Sequence, residues 1–124
     1  LSALSQAQAL LARARKLQSA GTYQAGYVEN LRATRLLHDA LKATKTNSEK
    51  AQIYSLLGES YNVVADLGVW GLPEVYFESC VRTRPQSPLA KRCYQNYERA
   101  IVLGFSGSAG VMIPAAEKKK LSEL

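Results

Sequence analysis

The sequence has few of the residues from which metal and catalytic centres are built. It holds one histidine and two cysteines among 124 residues, and protein metal sites draw mainly on such side chains. It also lacks the glycine-rich phosphate loop and the G-x-S-x-G elbow that mark common nucleotide-binding and hydrolase sites. We therefore expect no metal, no cofactor and no catalytic residue.

Long apolar runs are absent as well. No stretch approaches the roughly 18 apolar residues that a membrane-spanning helix needs, and no signal-peptide pattern is visible. The chain begins at Leu1 rather than at a methionine, and we expect it to be a processed or trimmed fragment. An export signal or a lipid anchor upstream of Leu1 stays open on this basis.

The composition is that of an ordinary folded domain. With 47% hydrophobic and 21% charged residues, the chain is not compositionally disordered, and its length predicts a single domain over residues 1–124. There are 16 Lys and Arg against 10 Asp and Glu, a formal net charge of +6. The basic residues alternate with glutamates, whereas nucleic-acid binding predicts a continuous basic face with stacking aromatics. We favour a solvated basic surface.

Glycine and proline divide the chain into helical segments. Apolar residues recur with helical period in each segment, and no segment alternates with period two, so the sequence predicts an all-α fold without a sheet. Ser48 is the expected N-cap of the third helix, and Gly104 the expected end of the fourth. The four predicted helices are Ser2 to Ala20, Thr22 to Thr44, Ser48 to Val69 and Leu89 to Leu103.

The third helix carries a repeat-like motif. It reads Tyr54-x-x-Leu57-Gly58-x-x-Tyr61, which resembles the first-helix signature W-x2-L-G-x2-Y of tetratricopeptide repeats (TPRs), with Tyr for Trp. The glycine would let the paired helix approach closely. The second-helix pattern of the family, A-x3-F-x2-A, is resembled in two places, by Ala33, Leu37 and Ala40 and by Cys93, Tyr97 and Ala100.

This resemblance implies a right-handed array of helical hairpins. It comprises about two TPR-like repeats, a long insert at about residues 68–88 and a C-terminal capping helix. Two repeats are fewer than the usual minimum of three for such arrays. Either the long helices and the insert compensate, or the chain pairs with another copy of itself. A generic helical bundle is the alternative fold.

Two cysteines flank the breaker Arg84-Pro85-Gln86-Ser87-Pro88. Cys80 and Cys93 lie symmetrically about this turn, so in an antiparallel hairpin their side chains face each other, and we predict a disulfide. A disulfide implies an oxidising compartment; two buried free thiols are the alternative. We predict that the segment from Gly68 to Pro88 forms a short helix packed on the fourth helix, anchored by Trp70, Tyr76 and Phe77. The same apolar cluster would also suit an interface.

Polar residues follow one edge of the third helix. In proteins that resemble this family the first helix of each pair lines a groove that binds an extended or helical peptide, and the motif puts these residues at matching positions. The first helix adds Arg15 beside Gln8 and Gln18, and Trp70 is a further candidate contact. A solvent-facing helix edge is the alternative interpretation. The residues of this edge are Gln52, Ser55, Glu59, Asn62 and Asp66.

The sequence therefore predicts a non-catalytic interaction or scaffold module. We expect a bacterial protein of the envelope or a secreted one, with a protein or peptide as its partner. One alternative is a small helical-bundle enzyme or regulator that uses Glu59, Asp66 and His38. The other is a basic helical domain that binds nucleic acid.

Overall fold

The computed structural model describes residues 2–21, 24–68, 71–104, 106–107, 110–111 and 115–124. The fold is all-α, and the first five helices pack each on the next along the chain to form a helical array. A two-residue antiparallel ladder near the C-terminus, which pairs Ser106–Gly107 with Gly110–Val111, departs from the expectation of no sheet. The elements are α1 (Ala3–Ser19), α2 (Tyr27–Ala43), α3 (Asn47–Val63), a 3-10 turn (Ala65–Leu67), α4 (Leu72–Thr83), α5 (Pro88–Gly104), β1 (Ser106–Gly107), β2 (Gly110–Val111) and α6 (Ala115–Glu123).

The start of α3 differs from its prediction. Thr46, not Ser48, is the N-cap, and its hydroxyl accepts a hydrogen bond from the Glu49 amide at 3.2 Å. Thr46 has an extended backbone and a glutamate three residues later, which is the spacing of a capping box. Ser48 consequently lies inside the first turn of the helix.

The end of α3 also differs from its prediction. The helix ends at Val63 rather than Val69, because Val64 leaves helical geometry and a 3-10 turn follows. Neither glycine nor proline marks this end in the sequence, so the pattern predicts a helix that continues to the glycines beyond it. The last polar residue of the predicted edge, Asp66, therefore lies beyond the helix.

Gly26 sets the junction between α1 and α2. It has a φ of 84°, and a Cβ at this position would lie 2.7 Å from the Ala14 carbonyl oxygen. Only glycine combines a left-handed conformation with so close an approach. The second helix thus begins at Tyr27, not at the predicted Thr22. The buried cluster that α1, α2 and α3 share is Ala7, Leu11, Ala33, Leu37, Ala40, Ile53 and Leu57.

Gly58 sets the contact between α3 and α4. A Cβ at Gly58 would lie 2.5 Å from the Phe77 ring, and Phe77 is itself 2% exposed. The ring therefore occupies the space that a side chain on α3 would otherwise fill. The sequence predicts the need for a close approach at Gly58, but it does not predict α4 as the helix that makes it.

The disulfide and the short helix before the proline turn are confirmed. Cys80 and Cys93 are fully buried and bonded, with their Cα atoms 6.2 Å apart, and they tie α4 to α5. Ser87 begins α5 by accepting a hydrogen bond from the Ala90 amide at 3.0 Å. A closed loop of this length stabilises a fold by roughly 3 kcal/mol in the chain-entropy account.

The three anchors predicted for α4 have different positions. Phe77 packs with Tyr97 and Ile101 of α5, as expected. Tyr76 faces the other way: its ring stacks on Tyr61 of α3, with centroids 5.5 Å apart. This is a correction, and its cause is that adjacent residues of a helix point in directions about 100° apart. Trp70 lies outside the described residues.

The C-terminal helix covers the end of the α4–α5 pair. Leu121 and Leu124 pack on the cluster formed by Phe77, Tyr97 and Ile101. The Tyr94 hydroxyl donates to the Leu121 carbonyl at 3.2 Å. Within the described ranges, none of the helices combines the length and hydrophobicity required to cross a bilayer.

Candidate functional site

Glu59 of α3 lies opposite Arg15 of α1. The guanidinium and the carboxylate are 4.0 Å apart, and both side chains are largely exposed. Such a pair contributes at most about 1 kcal/mol to stability. It does bridge α1 and α3 at the rim of a cavity of about 80 Å³ that extends down to α2. Two residues predicted from the sequence are therefore together at an opening in the surface.

A second cavity lies on the other side of Glu59. Its volume is about 280 Å³, and it opens between α3 and α5 with Phe77 of α4 among its walls. Asn62 of α3 faces Asn96 and Arg99 of α5 across it. Glu59 lines both cavities, so it stands at the centre of one surface. We call this surface, lined by Arg15, Gln18, Glu59, Asn62, Asn96 and Arg99, the α1–α3–α5 face.

The predicted candidates divide between this face and other places. Arg15, Glu59 and Asn62 are on the face, as is Gln18, which the first helix offered. Gln8 and Gln52 are exposed and Ser55 is 7% exposed, but none of the three lines either cavity. Asp66 accepts a hydrogen bond from the Tyr27 hydroxyl at 2.7 Å. The remaining candidate, Trp70, lies outside the described residues.

Sequence reasoning missed the contribution of α5. Asn96 and Arg99 are not among the residues predicted from the sequence, because the resemblance makes α5 the second helix of a repeat, whose role is to support the groove. A signal was present: the two polar residues are spaced i, i+3 on the side of α5 next to the buried Tyr97. Such spacing puts them on one face of a helix.

The cavity under the Arg15–Glu59 pair has a buried polar floor. Ser60 is 1% exposed, and its hydroxyl has no hydrogen-bond partner among the described residues. Asn30 of α2, 3% exposed, also lines this cavity and donates from Nδ2 to the Gly26 carbonyl at 2.9 Å. That bond fixes the amide and leaves Oδ1 as an acceptor.

His38 belongs to a different cluster. Its Nε2 lies 3.0 Å from the Tyr61 hydroxyl, and the Tyr61 ring stacks on Tyr76. Burial, with the neighbouring phenols of Tyr61 and Tyr54, raises the pKa of Tyr76 above its ordinary value of 10.0. The two other residues of the enzyme alternative have different partners: Glu59 pairs with Arg15, and Asp66 accepts from the Tyr27 hydroxyl.

The described ranges contain no cluster of three or more His, Cys, Asp or Glu side chains that could hold a metal ion. Comparison with models of protein families, with curated proteins and with solved structures finds no match to this chain.

Proposed function

We propose that this protein is a non-catalytic interaction module that binds a protein or peptide partner on its α1–α3–α5 face. The observation that carries the proposal is the pair of cavities on either side of Glu59, because three helices that are not consecutive contribute polar side chains to one surface. Concave sites at helix junctions are where proteins commonly bind ligands. A solvated helix edge would not need α5 to supply Asn96 and Arg99 beside Asn62.

We also propose a TPR-like arrangement of the helices. The motif of α3 supports it through Gly58, which meets Phe77 of α4. The second-helix pattern A-x3-F-x2-A has a counterpart in α4, where Pro73, Phe77 and Cys80 are all buried. With α1–α2 and α3–α4 as two hairpins, α5 becomes the first helix of a third unit, which accounts for its place on the binding face.

The chemistry of the face supports one class of partner. Asn62 and Asn96 each offer a donor and an acceptor, which match the C=O and N–H groups of an extended peptide backbone. Arg15 and Arg99 outnumber Glu59, so the face favours a partner that carries acidic side chains. We propose a peptide segment of this kind as the partner.

The disulfide supports an extracytoplasmic location, in the periplasm or outside the cell. Disulfides persist in oxidising compartments and are rare in the cytosol. Cys80 and Cys93 are fully buried beside Ala51 and Val81, so their bond is a structural one that links α4 to α5.

The test compares partners recovered by the wild-type domain with those recovered by Glu59→Lys/Asn62→Ala. Native extract is passed over both immobilised proteins, and bound proteins are quantified by mass spectrometry. We expect at least a tenfold loss of the specific partners in the double variant. Asp39→Lys, an equivalent charge reversal on α2 at a residue that lines neither cavity, should recover them normally. Equal recovery by the double variant would overturn the proposal.

A further inference from the structure

We propose that the cavity beneath Arg15 and Glu59 is a binding pocket for a carboxamide group, such as the side chain of an Asn or Gln of the bound peptide. The inference rests on the proposed function, since it assigns a specificity pocket to the same face. It begins from Ser60, a residue that is 1% exposed and lines the cavity, and whose buried hydroxyl has no partner among the described residues. A buried polar group of this kind is costly unless something hydrogen-bonds to it.

The volume limits the size of the occupant. A cavity of about 80 Å³ is far larger than the ~10–15 Å³ that one water requires. It is about half the ~150 Å³ of an engineered cavity that binds benzene, which has six carbon atoms. A group of about three heavy atoms fits this volume, and a carboxamide has three. Leu11, Ala14 and Val63 form the apolar part of the wall against which its methylene stem would pack.

The polar lining selects the chemistry of the occupant. Acceptors are present in the Glu59 carboxylate and in Oδ1 of Asn30, whose Nδ2 donates one of its two N–H groups to the Gly26 carbonyl. Donors are present in Arg15 and Gln18, and the Ser60 hydroxyl can serve in either role. A carboxylate would be repelled by Glu59, and an ammonium or guanidinium group by Arg15. A neutral group that both donates and accepts satisfies both sides.

The rim gives such a group access from the surface. The side chains of Arg15 and Glu59 are 67% and 47% exposed and only 4.0 Å apart at their nearest charged atoms. An exposed pair at this distance is weak, so it can exchange its mutual contact for hydrogen bonds to an entering amide. In that arrangement Arg15 donates to the amide oxygen and Glu59 accepts from the amide nitrogen.

The test uses three small probes of similar size: acetamide, acetate and guanidinium. Each is titrated into the ¹⁵N-labelled protein while the Asn30 side-chain amide and the Glu59 and Ser60 backbone amides are followed by NMR. We expect saturable shifts with acetamide and none with acetate or guanidinium. Ser60→Ala should weaken acetamide binding by about tenfold, whereas Ser55→Ala, which removes a buried hydroxyl of the same helix outside this cavity, should leave it unchanged.

Three results would overturn the pocket. These are shifts that rise linearly without saturation, equal responses to acetate or guanidinium, and unaltered acetamide binding in Ser60→Ala. Acetamide binding is measured without any partner, so it separates the two proposals. If acetamide does not bind while Glu59→Lys/Asn62→Ala still loses its partners, only the proposal of a carboxamide pocket is wrong. If acetamide binds while that variant keeps its partners, the proposed function is wrong. The proposal that the pocket holds a side chain of a bound peptide is then wrong as well.

Discussion

The two sides of α3 are built in different ways. Toward α2 and α4 the helix is closed: the Gly58 backbone meets the Phe77 ring, and Tyr61 stacks on Tyr76. Toward α1 and α5 it is open, and Glu59 separates two cavities with polar rims. Close packing resists any change of volume, whereas an open polar face can exchange its contacts for those of a partner. Changes on the closed side should therefore alter stability, and changes on the open side should alter binding.

The largest expected effect comes from the disulfide that links α4 to α5. Replacing both cysteines, as Cys80→Ala/Cys93→Ala, should lower the free energy of unfolding by about 3 kcal/mol, because α4 and α5 lose their covalent link. Urea denaturation of the variant and of the oxidised wild type measures this difference. Thiol titration of the denatured, unreduced wild type is the control. Two free thiols in that sample would show that Cys80 and Cys93 are not bonded.

The next effect concerns the contact between Gly58 and Phe77. Gly58→Ala puts a methyl group 2.5 Å from a buried ring, and overpacking of this kind typically costs about 1–3 kcal/mol. Asn62→Ala, one turn further along on the open side, should change stability by less than about 0.5 kcal/mol. Thermal denaturation of the two variants compares the sides directly.

A second substitution tests the cause of that loss. In a Gly58→Ala background, Phe77→Leu should cost less than it does alone, because the smaller side chain makes room for the new methyl group. Independent, additive losses would show that the ring contact is not what requires glycine.

How far the sequence predicts this comparison depends on how local each feature is. The helical segments, the need for a close approach at Gly58 and the Cys80–Cys93 disulfide follow from short-range patterns: periodicity, a motif within one helix and symmetry about one turn. The pairing of α4 with α3 does not. It depends on Phe77 meeting a residue on another helix, and the sequence contains no measure of that distance.

Only part of the candidate site follows from the sequence, for the same reason. Arg15, Glu59 and Asn62 follow from helical spacing and from the resemblance of the motif. Asn96 and Arg99 require knowing which side of α5 faces α3. Ser60 is not among the residues predicted from the sequence, because its burial without a partner is visible only in three dimensions.

A smaller effect is expected from the hydrogen bond on the closed side. Tyr61→Phe removes the hydroxyl that lies 3.0 Å from Nε2 of His38 and keeps the ring that stacks on Tyr76. The expected loss of stability is about 1 kcal/mol, with partner binding unchanged. Chemical denaturation measures the loss of stability, and recovery of partners from native extract measures binding. Weaker recovery by this variant would contradict the separation of the two sides.

The smallest effect appears only in alkali. The pKa of Tyr76 is raised, first by burial and then by the phenols of Tyr61 and Tyr54, so the folded protein holds this proton more tightly than the unfolded chain does. The associated stability is fully present below pH 10 and is lost as the pH rises through the raised pKa. Melting temperatures between pH 8 and pH 11 should therefore fall less steeply for Tyr76→Phe. Parallel profiles would show that Tyr76 titrates alike in both states.

If a partner binds on the open side of α3, site-specific photocrosslinking from that side will capture it. The photoreactive residue p-benzoylphenylalanine replaces Asn62, Asn96 or Asp39 in turn, and each protein is irradiated in native extract. We expect the same crosslinked partner from positions 62 and 96 and none from position 39. A partner captured at position 39 but not at positions 62 and 96 would contradict it.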